Sequence, residues 1–488
     1  MQNVPIAQPL MLISRALLGC YLVGLAAASH AQTTVGDTPS SIVANDGRYI
    51  HWREHIIDDP QIAGFALSGS DGLVMGDLDR DGRADIVSVH ESDSEYDSAI
   101  PDPDFIPPPE GHVRIAFAGS TPQQWLNITL AEGTDSPAPE DVALGDFNGD
   151  GFLDVVVAAE LSHLIYLQNP GTGGQIRSAN WQRLILPMTR NQGSYIRVFA
   201  ADLDNDGVPE ILAANKGAQR PSPADFRRST PVSIFSVTGD PLLGSSWMET
   251  VLGNYSVPQN AEPVDIDSDG DLDIIAGSRG ENRLILFRNP GDGSLNFREE
   301  AIGVVGTQLA GFNLEYADLN NDGRLDIIGG AGSELVWLLQ PERAGDAWIA
   351  AIIGSLAPDS VTGMELADID GDQDLDILVG SYSRGPRTGD GEVDVNDALG
   401  RLAWFANPGP AANSAPWPRH DISRRKRGMF DKFIAQDMDE DGDLDFIGTR
   451  GNSAPYDGVF WLEQFRAQEP GPVFTPARNN DSEEMPLP

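Results

Sequence analysis

Seven times along the chain a run of carboxylates at alternate positions, D-x-D-x-D-x-x-x-D with an occasional Asn or Glu, leads directly into a short apolar segment. The copies begin at Asp77, Asp146, Asp202, Asp265, Asp318, Asp368 and Asp437, 50 to 69 residues apart. A recurrence on that scale implies a repeat architecture. Positions one, three, five and nine of each copy carry side-chain oxygens. They are Asp77, Asp79, Asp81 and Asp85; Asp146, Asn148, Asp150 and Asp154; Asp202, Asp204, Asp206 and Glu210; Asp265, Asp267, Asp269 and Asp273; Asp318, Asn320, Asp322 and Asp326; Asp368, Asp370, Asp372 and Asp376; and Asp437, Asp439, Asp441 and Asp445. Calcium takes six to eight oxygens at about 2.3 to 2.6 Å, so alternate side chains on a tight loop can converge on one ion. Position six is glycine except at Gln373, as a loop wrapping an ion with positive φ requires. An EF-hand would need flanking helices and Glu at position twelve, where the first copy has Ser88.

The segment after each loop reads as strand. Residues 85–89, 154–158 and 376–380 are short, β-branched and bounded by polar or glycine-rich stretches. A second shared segment ends in Asn-Pro-Gly, at residues 164–171, 284–291 and 402–409, and predicts a strand running into a turn. A third carries Trp and a later Ile, as in residues 181–185 and 417–422. With the strand entering each loop, every repeat supplies four strands, the unit of a β-propeller blade. On these loops and strands the chain resembles the FG-GAP or VCBS-repeat propellers, related to the head of integrin α subunits, over about residues 50–465. The resemblance implies an all-β, seven-bladed propeller with a calcium loop in each blade and up to seven structural Ca2+ ions. The last repeat lacks its Trp-bearing strand, whereas residues 52–57 match residues 417–422 in their Trp, His and final Ile. The N-terminal strand is therefore expected to complete blade seven and remove the exposed sheet edges. His55 and His420 recur at that outer-strand position, which favours a structural role for both.

Residues 1–31 combine Arg15, an apolar run and a small-residue end at Ala31, and are expected to be a secretory signal peptide. Cleavage after Ala31 is preferred to lipoprotein anchoring at Cys20, because the apolar run continues past that cysteine. The mature chain would then be secreted or periplasmic and free of cysteine, leaving calcium to do what disulfides do elsewhere. Residues 32–49 read as a linker and 466–488 as a disordered acidic tail. No other stretch is apolar enough to span a bilayer.

The formal charge of −42 argues against nucleic acid as a partner. Seven divalent ions would reduce it to about −28. The loops joining first and second strands occupy one face of such a ring, and the remaining connections the other. All three lysines, Lys216, Lys426 and Lys432, fall in these opposite-face segments or their edges, with Arg190, Arg220, Arg227, Arg228, Arg279, Arg384, Arg387, Arg424, Arg425, Arg427 and Arg450. Long connections at 90–112, 215–231 and 381–400 add His90, Tyr96, His112 and Tyr382, with His163, Tyr195 and Tyr456 nearby. Guanidinium forks suit carboxylates and sulfates, so an adhesive or lectin-like module binding an acidic carbohydrate is the favoured reading. The alternatives are a polysaccharide lyase or dehydratase, and a structural subunit of an extracellular assembly with a protein partner. An eliminating enzyme would need a base, for which His90, His163 and Tyr382 are candidates, and a carboxylate neutraliser, for which Arg279 and Arg384 are candidates.

Overall fold

The computed structural model describes residues 30–31, 33–92, 111–173, 175–383, 394–409, 412, 416–426, 428–451 and 457–472. The expected signal peptide therefore lies almost wholly outside the described residues, as do Arg384, Arg387, Arg427, Tyr96, Tyr456 and the tail beyond residue 472.

The strands form seven antiparallel sheets of four strands each, three of which gain a further strand. In blade two the order from the central channel outward is Pro139–Gly145, Asp154–Ala159, Leu164–Gln168 and Gln182–Ile185. The second strands are largely apolar after their leading carboxylate because both of their faces are covered by neighbouring blades: every residue of Asp85–His90, Asp154–Ala159 and Asp376–Ser381 is buried. Seven apolar clusters result, one at each boundary between adjacent blades. The cluster joining blades seven and one includes Ile57, Leu73, Ile86, Ile447 and Trp461. The recurrent tryptophans sit at the start of outer strands, and the indole N–H groups of Trp181, Trp247 and Trp417 donate to backbone carbonyls five or six residues earlier.

Closure agrees with the sequence expectation. Blade seven is built from Phe433–Gln436, Asp445–Arg450 and Gly458–Ala467, with the N-terminal strand Tyr49–Asp58 as its fourth member. The two distant strands pair from Tyr49 opposite Ala467 to Asp58 opposite Val459. Buried charge fixes this seam. Glu54 accepts from Arg425 of blade six at 2.7 Å and Arg450 of blade seven at 2.8 Å, and Asp58 pairs with Arg114 of blade one. His55 stacks on Trp461, 4.4 Å between centroids, and contacts Glu463, while His420 packs on Trp404. Both histidines thus serve packing.

The span expected to be a linker contains structure. Thr33–Thr38 adds a fifth strand outside Tyr49–Asp58, and His30–Ala31 pairs with Gln124 and Trp125 at the outer edge of blade one. Linker and strand are hard to separate here because an added edge strand needs only backbone groups, which any sequence supplies.

Candidate functional site

The seven loops share one backbone solution. Position one accepts two backbone N–H groups, as where Asp77 takes those of Asp81 at 3.0 Å and Gly82 at 2.9 Å. Position six has positive φ throughout, +88° at Gly82 and +79° at Gln373. Position four does as well, even where the residue is Arg80, Ser268 or Glu440, a regularity that side-chain identity does not announce.

Position nine is buried in every blade. Asp85, Asp154, Glu210, Asp273, Asp326, Asp376 and Asp445 each hold the loop to the sheet. In six of them one oxygen accepts an N–H at the end of the third strand, such as Ala118 at 2.9 Å for Asp85 and Asn407 at 2.8 Å for Asp376. In five, Glu210 included, an oxygen accepts the N–H of the apolar residue at position two, as Asp85 does from Leu78. Desolvation pushes these carboxyls up, to about 7 at Asp85, Asp154 and Glu210 and about 8 at Asp376 and Asp445, with the neighbouring loop carboxylates adding to the shift.

Such a site calls for a cation. In blades one, three, four and six, oxygens of three loop residues lie within 4.8 Å of one another, and the donors are oxygen alone, so several of these clusters could hold metal ions.

The Asn-Pro-Gly segment does more than turn. The Asn169 amide of blade two donates to Leu78 O of blade one at 2.9 Å and to Leu153 O of its own blade at 3.1 Å. Asn289 repeats this toward Leu203, and Gln340 reaches Ile266. Each of these amides ties its blade to the loop of the blade before it.

The opposite face differs from the expected exposed basic surface. Arg401 and Arg424 are fully buried on Asp359, Arg425 and Arg450 on Glu54, and Lys216 on Glu160. Pairing these cations inside the protein relieves the desolvation that lone buried charges would suffer, and withdraws them from solvent. Arg190, Arg227, Arg228 and Arg279 stay exposed.

On this face the central channel opens into a cavity of about 850 Å³. Arg220, Arg279, Lys216, Tyr382, Phe312, Glu140 and Glu160 are among its lining residues. Arg197 closes the passage below. Its guanidinium bonds Asp431 of blade seven and Asn313 at 3.0 Å, and lies 4.3 Å from the centroid of Phe312. Beneath this plug Lys432 lines a cavity of about 30 Å³ with Glu262 and Glu315.

Of the predicted catalytic candidates, Arg279 and Tyr382 share the channel mouth. His90 and His163 do not. His90 is buried, its ring bonded to Ser70 Oγ at 2.7 Å and Ser88 Oγ at 3.1 Å, and burial holds its pKa well below 6.5, with Arg114 and His112 adding to the shift. His163 is likewise buried, on Ser162 Oγ and Asp135 O, with its pKa lowered by desolvation. His90 ends a second strand and His163 lies in the turn after one, and both rings are spent on buried hydrogen bonds away from the channel lining, which is why their loop-proximal positions misled. Sequence reasoning missed Glu140, Glu160, Arg197 and Phe312. A signal for channel-facing positions existed in Glu262, Glu315 and Glu365, each three residues before its loop, where an acid interrupts a first strand.

Fold and loops together define a seven-bladed β-propeller whose acidic connections are suited to metal ions. The chain carries FG-GAP-like repeats on this propeller: the FG-GAP-like repeat family model matches residues 146–213, 265–329 and 318–379. Cartilage acidic protein 1 of Mus musculus is 29% identical over 174 residues, 34% of this chain and 25% of that protein. The Homo sapiens protein is 29% identical over 191 residues, 37% of this chain and 26% of that protein, so this chain spans about a quarter of the length of these relatives. Among solved structures, an Agrocybe aegerita lectin described as recognising non-reducing terminal N-acetylglucosamine is similar at 14% identity and a TM-score of 0.44, covering 88% of this chain and 99% of the lectin. A nidogen/laminin complex is similar at 10% identity and a TM-score of 0.34, over 62% of this chain and 89% of that one. Among the described residues no helix is long and apolar enough to cross a membrane.

Proposed function

We propose that this chain is a secreted, calcium-stabilised recognition module that binds an extracellular ligand, an acidic carbohydrate, at the channel mouth opposite the acidic loops. The carrying observation is the composition of the 850 Å³ cavity, whose lining includes Arg279 and Arg220 together with Tyr382 and Phe312. Guanidinium groups bond carboxylates or sulfates, and aromatic faces suit sugar rings. The glutamates there do not oppose this. Glu160 is neutralised by Lys216, and desolvation reinforced by Asp71, Glu160 and Glu91 pushes the Glu140 carboxyl well above its usual range, with Lys216 opposing the shift. The Arg197 plug makes the mouth a closed-ended site suited to holding a ligand rather than passing it.

A second reading is favoured by one observation, that Tyr382 and Arg279 line the same cavity. In a sugar-eliminating enzyme the tyrosine would act as base and the arginine would neutralise the uronate, without either histidine.

The test incubates calcium-loaded protein with uronic and sulfated polysaccharides, monitoring retention on the polymer and absorbance of unsaturated products. Retention without product, weakened roughly ten- to hundredfold by Arg279→Ala, is the expected result for loss of a charge-assisted contact. Unsaturated product that disappears in Tyr382→Phe would select the lyase. Retention indifferent to Arg279→Ala would remove the binding site from the channel mouth, and no retention at all would move the ligand to protein.

A further inference from the structure

Two of the seven loops already hold a cation of their own. In blade four the guanidinium of Arg288, from the third strand Arg283–Arg288, reaches Asp267 at 2.7 Å and Asp273 at 2.6 Å, positions three and nine of that blade's loop. In blade one the cation comes from next door. Arg177 lies in the connection between the third and fourth strands of blade two, and it bonds Asp79 and, at 2.8 Å, Asp81, positions three and five. Its guanidinium is 5.5 Å from the centroid of Phe117, which fixes its direction of approach.

Among the described residues no other loop has an arginine bridging two of its four oxygen-bearing positions. Arg83 and Arg324 each meet only position five of their own loop, and Arg466 approaches Asp443, which is none of the four, at 3.8 Å. The difference matters because an ion needs the carboxylates to converge on one point at about 2.3 to 2.6 Å. A planar guanidinium bonded to two of them carries a charge that proton loss cannot remove and competes with an ion for the same oxygens, even where, as in these two blades, three loop oxygens lie within 4.8 Å of one another.

We propose that Arg177 and Arg288 stand in for the ion, so that the loops of blades one and four fold without calcium while the other five bind it. This rests on the reading of the loops as calcium sites. Sequence comparison within the chain supplies a reciprocal test. Arg288 precedes Asn289-Pro290-Gly291 in blade four, and the same place in blade six is held by Ala406, before Asn407-Pro408-Gly409.

Native mass spectrometry of the calcium-loaded full chain counts the ions. The expected count is five, rising to six in Arg288→Gln and seven in the Arg177→Gln/Arg288→Gln double variant, and falling to four in Ala406→Arg. Circular dichroism of each variant in calcium accompanies the count: misfolding cannot imitate the rises, because it does not add ions, and a native spectrum of Ala406→Arg separates its fall from misfolding. Seven ions on the unaltered chain, or an unchanged count in both Arg288→Gln and Ala406→Arg, would overturn the proposal while leaving the loops as calcium sites. No bound ion in any variant would defeat the calcium reading itself.

Discussion

The two faces of the ring use charge in opposite ways. On the loop face, carboxylates are repeated seven times at the surface, their backbone is nearly the same in every blade, and most have no cation beside them. On the opposite face several cations have been drawn inside, with Arg424 and Arg401 on Asp359 and Arg425 and Arg450 on Glu54, and among the described residues these pairings are not repeated from blade to blade. The first arrangement leaves a charge deficit that a soluble ion can fill, which makes it a scaffold adjustable from outside. The second is self-contained, and its irregularity frees a few groups such as Arg279 to differ from blade to blade.

The largest expected effect breaks the comparison from the loop face. Chelation should lower the melting temperature markedly, since each ion present at a hundred times its dissociation constant contributes about 2.7 kcal/mol. Scanning calorimetry in calcium and in EGTA measures it. Identical melting in both would mean that the loops, like the opposite face, are self-sufficient.

A smaller effect comes from the seam. Glu54→Gln leaves Arg425 and Arg450 buried with less compensation, and should cost about 3 to 5 kcal/mol in urea denaturation. The loop-face counterpart, Asp204→Asn, should cost much less when calcium is present, because Asn148 and Asn320 already occupy that position in two other loops.

The mildest effect concerns protons, and the faces should again differ in sign. His90 has a folded pKa below the ordinary 6.5, so the unfolded chain binds the proton first. Its contribution is complete above pH 6.5 and is lost as pH falls below that value, by up to about 1.4 kcal/mol per pH unit. The position-nine carboxyls, raised to between about 6 and about 8, act in the reverse direction in calcium-free protein, losing stability as pH rises from about 4 through those values. Chemical denaturation at pH 5.5 and 7.0 should show a smaller acid loss in His90→Gln than in the unaltered chain; equal losses would assign the acid response elsewhere.

Much of the loop face was legible because its determinants are local. Carboxylate spacing, glycine at position six and the β-branched segments are set within a dozen residues, and the latch strand declared itself by matching residues 417–422. The opposite face was illegible for a physical reason. Which arginine meets which acid depends on ring geometry that joins residues far apart, such as Arg425 with Glu54 and Arg197 with Asp431. Counting basic residues located the face but could not separate the exposed Arg279 from the buried Arg424. For the same reason Asn169 read only as a turn residue, although its amide also ties two blades together.

The pairing of Tyr49–Asp58 with Gly458–Ala467 also dictates an order of assembly. A chain delivered from its N-terminus offers this strand first and its partner last, so six blades can form while the seventh waits. Joining ends so distant adds only modestly to the entropy of closure, but contacts of long sequence separation slow folding. Until the final strand arrives, the waiting segment is an unpaired edge, open to a neighbouring copy. A protein made this way has its most vulnerable moment just before completion, while an early strand waits for a partner that is delivered last.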